Sequence, residues 1–221
     1  MKSHLNILEE EGLRFFGKMT ASISHEIRNV LAIINEDSGL LEDLTFRADK
    51  GIPLDTERLR RLAGKMKVQI KRGDRIIENM NSFAHSVDEG LTHVDLKELL
   101  ALVHRLAERF ASMRLITLES KFDSKALIIE TYPFFLQNLL WRCLDFSMDL
   151  CGGGKTITLA TEETDQGALI RYLWEQEGMA GQPRHFPDRI EKAMLEMLNA
   201  RVQADIPNGE IVLILSKDPE Q

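Results

Sequence analysis

The chain has 221 residues, enough for one long domain or two short ones, with 43% hydrophobic residues to build a core and 29% charged ones. Twenty-eight Lys and Arg against thirty-five Asp and Glu leave a formal net charge of −7, which argues against a nucleic-acid partner held by counterion release. The longest charge-free apolar stretch, Thr131–Trp141, is too short to cross a bilayer, and Glu9, Glu10 and Glu11 interrupt any signal-peptide core. Cys143 and Cys151, the two cysteines, make neither a disulfide framework nor a zinc-ligand set. The expectation is a cytoplasmic protein with no membrane segment and no nucleic-acid partner.

The first half reads as two long helices. In the first, Phe16, Met19, Ile23, Ile27, Val30, Ile34, Leu41 and Leu44 recur at steps of three, four and seven, one stripe of a 3.6-residue helix. Ala48–Leu54 holds Gly51 and Pro53 and breaks the helix. Asp55 is placed to cap the second helix, whose seam is Leu59, Leu62, Met66, Ile76, Met80, Phe83 and Val87, with Gln69 and Gly73 between them. A hairpin alone cannot bury both faces, so it is expected to pair with a second copy as a homodimeric four-helix bundle. The competing arrangement packs the hairpin on its own C-terminal half.

A polar connector, Ser86–Val94, leads to a different texture. Asp95 and Glu98 resemble a capping box opening a helix to about Phe110. Strand-like runs follow at Leu115–Lys121 and Ala126–Glu130, then a very apolar helix over Pro133–Leu150. Cys151–Gly154 is a turn, and Lys155–Glu163 with Ala168–Trp174 reads as a hairpin. A helix over Pro187–Ala204 and a strand over Glu210–Ser216 close the chain. The fold class is therefore a helical hairpin followed by an α/β sandwich, one mixed sheet covered by three helices. The domains are expected at 1–86 and 95–221, with 87–94 as linker.

The sharpest local feature is Ser24-His-Glu-Ile-Arg-Asn29. At 100° per residue, His25 points about 160–180° away from Phe16, Ile23, Ile27, Ile34 and Leu41, toward solvent or the flank of a bundle. Asn29 is one turn on and shares its face, and Glu26 flanks that face. A carboxylate beside an imidazole can fix its tautomer, an amide can orient a water or a phosphoryl oxygen, and neutral imidazole is a competent nucleophile toward phosphorus. The competing reading is a solvated polar helix face.

The stretch Met19-Thr-Ala-Ser-Ile-Ser-His-Glu-Ile-Arg-Asn-Val-Leu-Ala-Ile-Ile-Asn-Glu36 resembles the H-box of sensor histidine kinases, on the first helix of their dimerisation and phosphotransfer hairpin. That resemblance implies His25 as phospho-acceptor, Glu26 as general base or orienting acid, and Asn29 as the residue positioning water when a partner receiver is dephosphorylated. Val30 stands where the family usually has proline, so the bend that proline gives is not expected here.

After such a hairpin the family has an ATP-binding domain of the GHKL type, and the element order here is similar to it. Aligned on the glycine turn, the helix Leu136–Met148 puts Asp145 at the magnesium-ligand position and Trp141 near the first asparagine, with Asn138 off by about one turn. The adenine-reading loop corresponds to Trp174–Gly181, where glutamates and a glutamine replace the usual aspartate and spaced glycines. Gln182–Asp188 runs almost directly into a helix without a second glycine cluster. Gly152-Gly-Gly-Lys-Thr156 lies before a strand and reads as a turn, not a phosphate loop. The expectation is a sandwich that has lost its nucleotide loops, needing no cofactor, with magnesium and ATP relevant only if the divergent site still works.

An intact phospho-acceptor on a degenerate kinase fold resembles the dimeric histidine phosphotransferases of bacterial phosphorelays. Three functions then compete. One is phosphotransfer through His25 between receiver-domain aspartates. Another is an ATP-dependent kinase in which Asp145 and Glu175 or Glu177 replace the usual ligands. The third is a non-catalytic dimeric scaffold, or a piece of a larger kinase, that binds a response regulator. Lys65, Lys67, Lys71, Arg72 and Arg75 give the second helix a basic face suited to an acidic receiver. His85, His93 and His104 show no metal-ligand spacing, and Met194, Leu195, Met197 and Leu198 read as core of the last helix.

Overall fold

The computed structural model describes residues 2–122, 125–175 and 184–216. Helix α1 covers Lys2–Asp49 and α2 covers Thr56–His85. The chain leaves α1 through Gly51, whose φ of 84° lies in the left-handed region where a side chain would be strained. Asp55 starts α2 as the sequence suggests, its Oδ1 accepting from the N–H groups of Glu57 at 3.0 Å and Arg58 at 3.1 Å. The chain divides into two compact units, Lys18–Ser82, and Met1–Gly17 with Phe83–Gln221.

Within Lys18–Ser82 the two stripes meet as an antiparallel hairpin. Met19, Ile23, Val30 and Leu44 of α1 and Leu62 and Ile76 of α2 are buried. Gly73 faces Val30 across the seam, where an added Cβ would sit 3.4 Å from Val30 Cγ1, about van der Waals contact. The seam also holds Asp37, 5% exposed and not anticipated on the stripe, with Oδ2 unpaired among the described residues; Gln69 Oε1 is in the same position. Val87, expected in the seam, lies past the end of α2 and is 47% exposed.

The second unit contains β1 (Thr92–Asp95), α3 (Leu96–Met113), β2 (Thr117–Lys121), β3 (Ile128–Thr131) and α4 (Pro133–Cys151). It continues with β4 (Thr156–Thr164), β5 (Gly167–Trp174), α5 (Arg189–Met197), β6 (Ala200–Asp205) and β7 (Glu210–Ser216). The main sheet has five strands in the order β2-β4-β5-β7-β6. The β2–β4 pair is parallel and the others antiparallel. Ile157 and Leu159, Ala168, Ile170 and Tyr172, and Ile211, Leu213 and Leu215 alternate onto one buried face. Helix α4 is buried on nearly all sides and packs against that face as well as α3 and α5, which is why its sequence is apolar without a clear stripe. Phe15, Phe83 and Phe134 form an aromatic cluster at one end, with ring centroids 5.4–6.0 Å apart. Phe15, at 3% exposure, is deeper than Phe16, the residue the stripe favours.

Three sequence expectations need correction. The connector Ser86–Val94 contains the start of β1, and β3 pairs with β1 as a separate two-stranded ladder instead of joining the main sheet. Asp95 caps α3 through the Lys97 N–H at 3.0 Å, while the reciprocal capping box forms at Asp188 and Glu191. The last helix stops at Met197, because Asn199 turns the chain at φ 45° and Ala200–Asp205 becomes the edge strand β6. Among the described residues no helix is long and apolar enough to cross a membrane.

Candidate functional site

His25 and Asn29 lie on the solvent side of α1, one helical turn apart, and both are exposed. The Asn29 side-chain nitrogen is 3.2 Å from His25 Nδ1. An amide presents a donor at one end and an acceptor at the other, so its orientation selects the imidazole tautomer. With Nδ2 toward the ring it donates to Nδ1 and the proton stays on Nε2. Rotated by half a turn, its Oδ1 accepts the Nδ1 proton and the Nε2 lone pair faces solvent. Glu26 is partly buried on the flank toward α2, with Oε2 3.9 Å from Arg72 Nη2. The residue on the ring is thus Asn29, and Glu26 faces a guanidinium. Sequence reasoning did not foresee Arg72 in this role; the i,i+4 spacing of His25 and Asn29 was visible in advance.

In the second unit, Asp145 is one-quarter exposed and engaged. Arg114, the residue capping the end of α3, places Nη1 2.8 Å from Asp145 Oδ1 and Nη2 3.0 Å from Asp149 Oδ1. Trp141 is buried with its ring 4.7 Å from that of Phe110. Asn138 is fully buried, and neither of its amide atoms has a partner among the described residues.

Beside Asp145 along α4 sits Arg142, the hub of a charge network that no motif announced. Its Nε is 2.7 Å from Glu191 Oε1, Nη1 is 2.6 Å from Glu11 Oε1, and Nη2 is 3.3 Å from Asp188 Oδ2. Glu191 is completely buried and takes a second guanidinium, Arg184, at 2.8 Å. Burial works to lower the Arg142 pKa, but Glu191, Glu11 and Asp188 outweigh it and hold the pKa above its ordinary value. Arg184 also lies over Phe146 and Phe186, whose rings stack at 4.4 Å. Cys143 is fully buried, which together with Glu191 pushes its thiol far above the usual range and leaves it chemically inert. Glu175 directly follows β5, whereas Glu177, Gly178, Gly181 and Gln182 lie outside the described residues.

The sequence matches no family model and no curated protein. Among solved structures, the chain is similar to the catalytic domain of histidine kinase ThkA over 60% of its length and 99% of that chain, at 14% identity and a TM-score of 0.50. A histidine kinase from Burkholderia phymatum STM815 aligns with 91% of this chain and 97% of its own, at 13% identity and a TM-score of 0.50. Histidine kinase ThkA in complex with the response regulator protein TrrA aligns with 100% of this chain and 68% of its own, at 18% identity and a TM-score of 0.49. The fold is a helix-rich N-terminal region followed by an α/β sheet domain matching GHKL-type catalytic domains of histidine kinases.

Proposed function

We propose that the protein is a cytoplasmic, homodimeric phosphorelay transferase that accepts a phosphoryl group on His25 from one receiver-domain aspartate and donates it to another. The observation that carries the reading is the exposed His25 ring with an amide at Nδ1 and Nε2 left open. With Asn29 Oδ1 accepting the Nδ1 proton, the Nε2 lone pair attacks phosphorus. The bond from phosphorus to the aspartate oxygen breaks, and the receiver carboxylate leaves as an anion. No proton moves, and the positive charge on the phosphorylated ring is shared with the amide at Nδ1. The reverse step discharges the group onto the second receiver. Glu26, the neighbour of His25 in sequence, carries its charge on the flank toward α2, paired with Arg72.

Transfer of this kind needs no nucleotide, and the surroundings of Asp145 favour that version of the function. A magnesium–triphosphate needs oxygen ligands available on this face of α4. Asp145 gives an oxygen to Arg114, and Trp141 packs against Phe110 where the family has an asparagine. Among the described residues, those on this face of α4 do not fit magnesium and a triphosphate. Dimerisation is supported by Leu31 of α1, 58% exposed, and Ile70 and Ile77 of α2, 51% and 44% exposed. By helical angle these three lie on the flank of the hairpin opposite Glu26 and Arg72, and a second copy covering them forms a four-helix bundle.

The test is to incubate the protein and His25→Ala with γ-labelled ATP and magnesium, and separately with a labelled phospho-receiver domain. The expected result is acid-labile, base-stable label on the wild type from the receiver alone, and none on His25→Ala. Label from ATP that depends on His25 identifies a kinase instead, and no label from either source leaves a scaffold.

A further inference from the structure

In the sheet unit, three side chains stand in the order hydroxyl, imidazole, carboxylate. Ser120 of β2 places Oγ 2.7 Å from Nδ1 of His104 on α3. Nε2 of the same ring lies 3.7 Å from Oε1 of Glu108, one turn further along α3. The carboxylate attracts the ring proton to Nε2, which leaves the Nδ1 lone pair to accept the Ser120 hydroxyl proton. Exposure is graded across the three. The His104 side chain is 16% exposed and Glu108 64%, and Ser120 is open to solvent. Burial lowers the His104 pKa, against Glu108, which raises it, and with Arg105, which lowers it, so near pH 7 the ring is a free base.

The backbone adds a donor. Strand β2 is at the edge of the sheet, paired in parallel with β4 alone. The Thr117 N–H donates to the Lys155 carbonyl at 2.9 Å. In a parallel ladder the amides alternate in direction, so those of Thr117, Glu119 and Lys121 turn toward β4 and those of Leu118 and Ser120 turn outward. The residue that carries the hydroxyl thus also carries an N–H that the sheet leaves unused.

We infer that Ser120, His104 and Glu108 form a second reactive site, which hydrolyses carboxylic esters through an acyl group carried on Ser120. This activity stands apart from phosphotransfer and uses none of its residues. Ser120 Oγ attacks the acyl carbon while its proton passes to His104 Nδ1. The negative charge that builds on the carbonyl oxygen is met by the Ser120 N–H. The bond from the acyl carbon to the alcohol oxygen then breaks, and the alcohol leaves with the proton from Nδ1. Water repeats the sequence in the second half, giving its proton to Nδ1 and its oxygen to the acyl carbon, and Ser120 Oγ leaves with that proton. Glu108 touches no reacting atom and acts as a positioning residue through the ring. The outward groups of Leu118 and Ser120 fit an acyl group borne on an extended chain, which can lie along β2 as a further strand and present its carbonyl to Ser120.

The experiment uses the full chain with p-nitrophenyl acetate at pH 7.5, in a His25→Ala background because an exposed imidazole attacks such esters by itself. The expected result is a burst of nitrophenol and one acetyl group on the peptide containing Ser120, found by mass spectrometry. Ser120→Ala and His104→Gln should each lose about 100-fold or more of the rate, with urea midpoints that show the sheet unit folded. Glu108→Gln should lower kcat by about two- to fivefold at unchanged KM, the scale of an exposed ion pair. Ser120→Cys should trap the acetyl group as a thioester at the same position. A hydrolysis rate equal in Ser120→Ala and its parent, or acetyl groups on other residues alone, overturns the site and leaves the Ser120–His104 bond as a clamp between β2 and α3. So does a Ser120→Cys variant that stays folded and takes up no acetyl group.

Discussion

Replacing Arg142 by methionine tests whether the charge network holds the sheet unit together. The side chain is 15% exposed and contacts three carboxylates, of which Glu191 is 0% exposed and Glu11 14%. Methionine keeps most of the volume and removes the charge. Breaking a buried pair by deleting one partner costs about 3–5 kcal/mol, because the other charge stays buried without compensation. Here Arg184 still reaches Glu191 at 2.8 Å, so the low end, about 3 kcal/mol, is expected. Against a total of about 5–15 kcal/mol for a domain, that is a large fraction. With an m-value of about 1–3 kcal/mol/M, the urea midpoint falls by at least about 1 M. Trp141 and Trp174 are both buried in this unit, at 4% and 5% exposure, so tryptophan fluorescence reports its unfolding directly. Removing Glu191 as well, in Arg142→Met/Glu191→Met, should recover part of the loss, since the stranded carboxylate is then gone. A single-variant loss below about 1 kcal/mol, or a double variant no more stable than Arg142→Met alone, refutes the reasoning.

Asn138→Leu should stabilise the protein by about 1–3 kcal/mol in the same urea assay, since two buried polar groups without partners are replaced by an apolar side chain; destabilisation shows that the amide is satisfied after all. Gly209→Ala should cost at least about 2 kcal/mol, because the residue sits at φ 68° and a Cβ would come 2.1 Å from the Trp174 carbonyl oxygen; an unchanged midpoint rejects the close approach of Gly209 to the end of β5. Burial holds the His104 pKa below its ordinary 6.5, with Glu108 pulling the other way. The imidazolium is therefore less favoured in the folded state, so its contribution is full above the unfolded pKa and declines as pH drops below about 6.5. Urea midpoints between pH 7.5 and 5.5 should fall less steeply for His104→Gln than for the wild type, and parallel curves disprove the assignment.

Where one element decides a feature, the sequence was readable. The hairpin follows from a 3.6-residue period, its loop from Gly51 and Pro53, and the cap from Asp55, all local. His25 with Asn29 is an i,i+4 pair on one helix, so angle alone brought them together. The strands β4, β5 and β7 show through alternation, since one face is buried and the other wet. Edge strand β6 does not, because Arg201, Gln203, Ala204 and Asp205 are exposed and only its pairing with β7 makes it a strand. For the same reason β1 stayed hidden, being too short to display a period, and the run that became β3 was legible as a strand while its pairing with β1 was not. The Arg142 network joins residues 131, 46 and 49 positions away, and nothing in the local sequence distinguishes its members from solvated surface charges.

Both acidic residues singled out by their neighbours in sequence, Glu26 and Asp145, are answered in the fold by an arginine from another helix, and the two answers differ in kind. Arg72 stands 3.9 Å from Glu26 with 45% of its side chain exposed. Arg114 stands 2.8 Å from Asp145 and reaches Asp149 at 3.0 Å with its other nitrogen. A single long contact in high dielectric is worth under about 1 kcal/mol, so the first guanidinium can change partner at little cost. A guanidinium forked between two carboxylates one turn apart has more to lose. A divalent cation competing for Asp145 must displace a charge tethered to the same unit, at an effective concentration of the order of millimolar or above. It must also give up water, which magnesium does reluctantly. The same residue type therefore leaves the hairpin site open to exchange and commits the carboxylate on α4. That is the combination a phosphoryl carrier requires if its phosphate comes from another protein and not from a nucleotide.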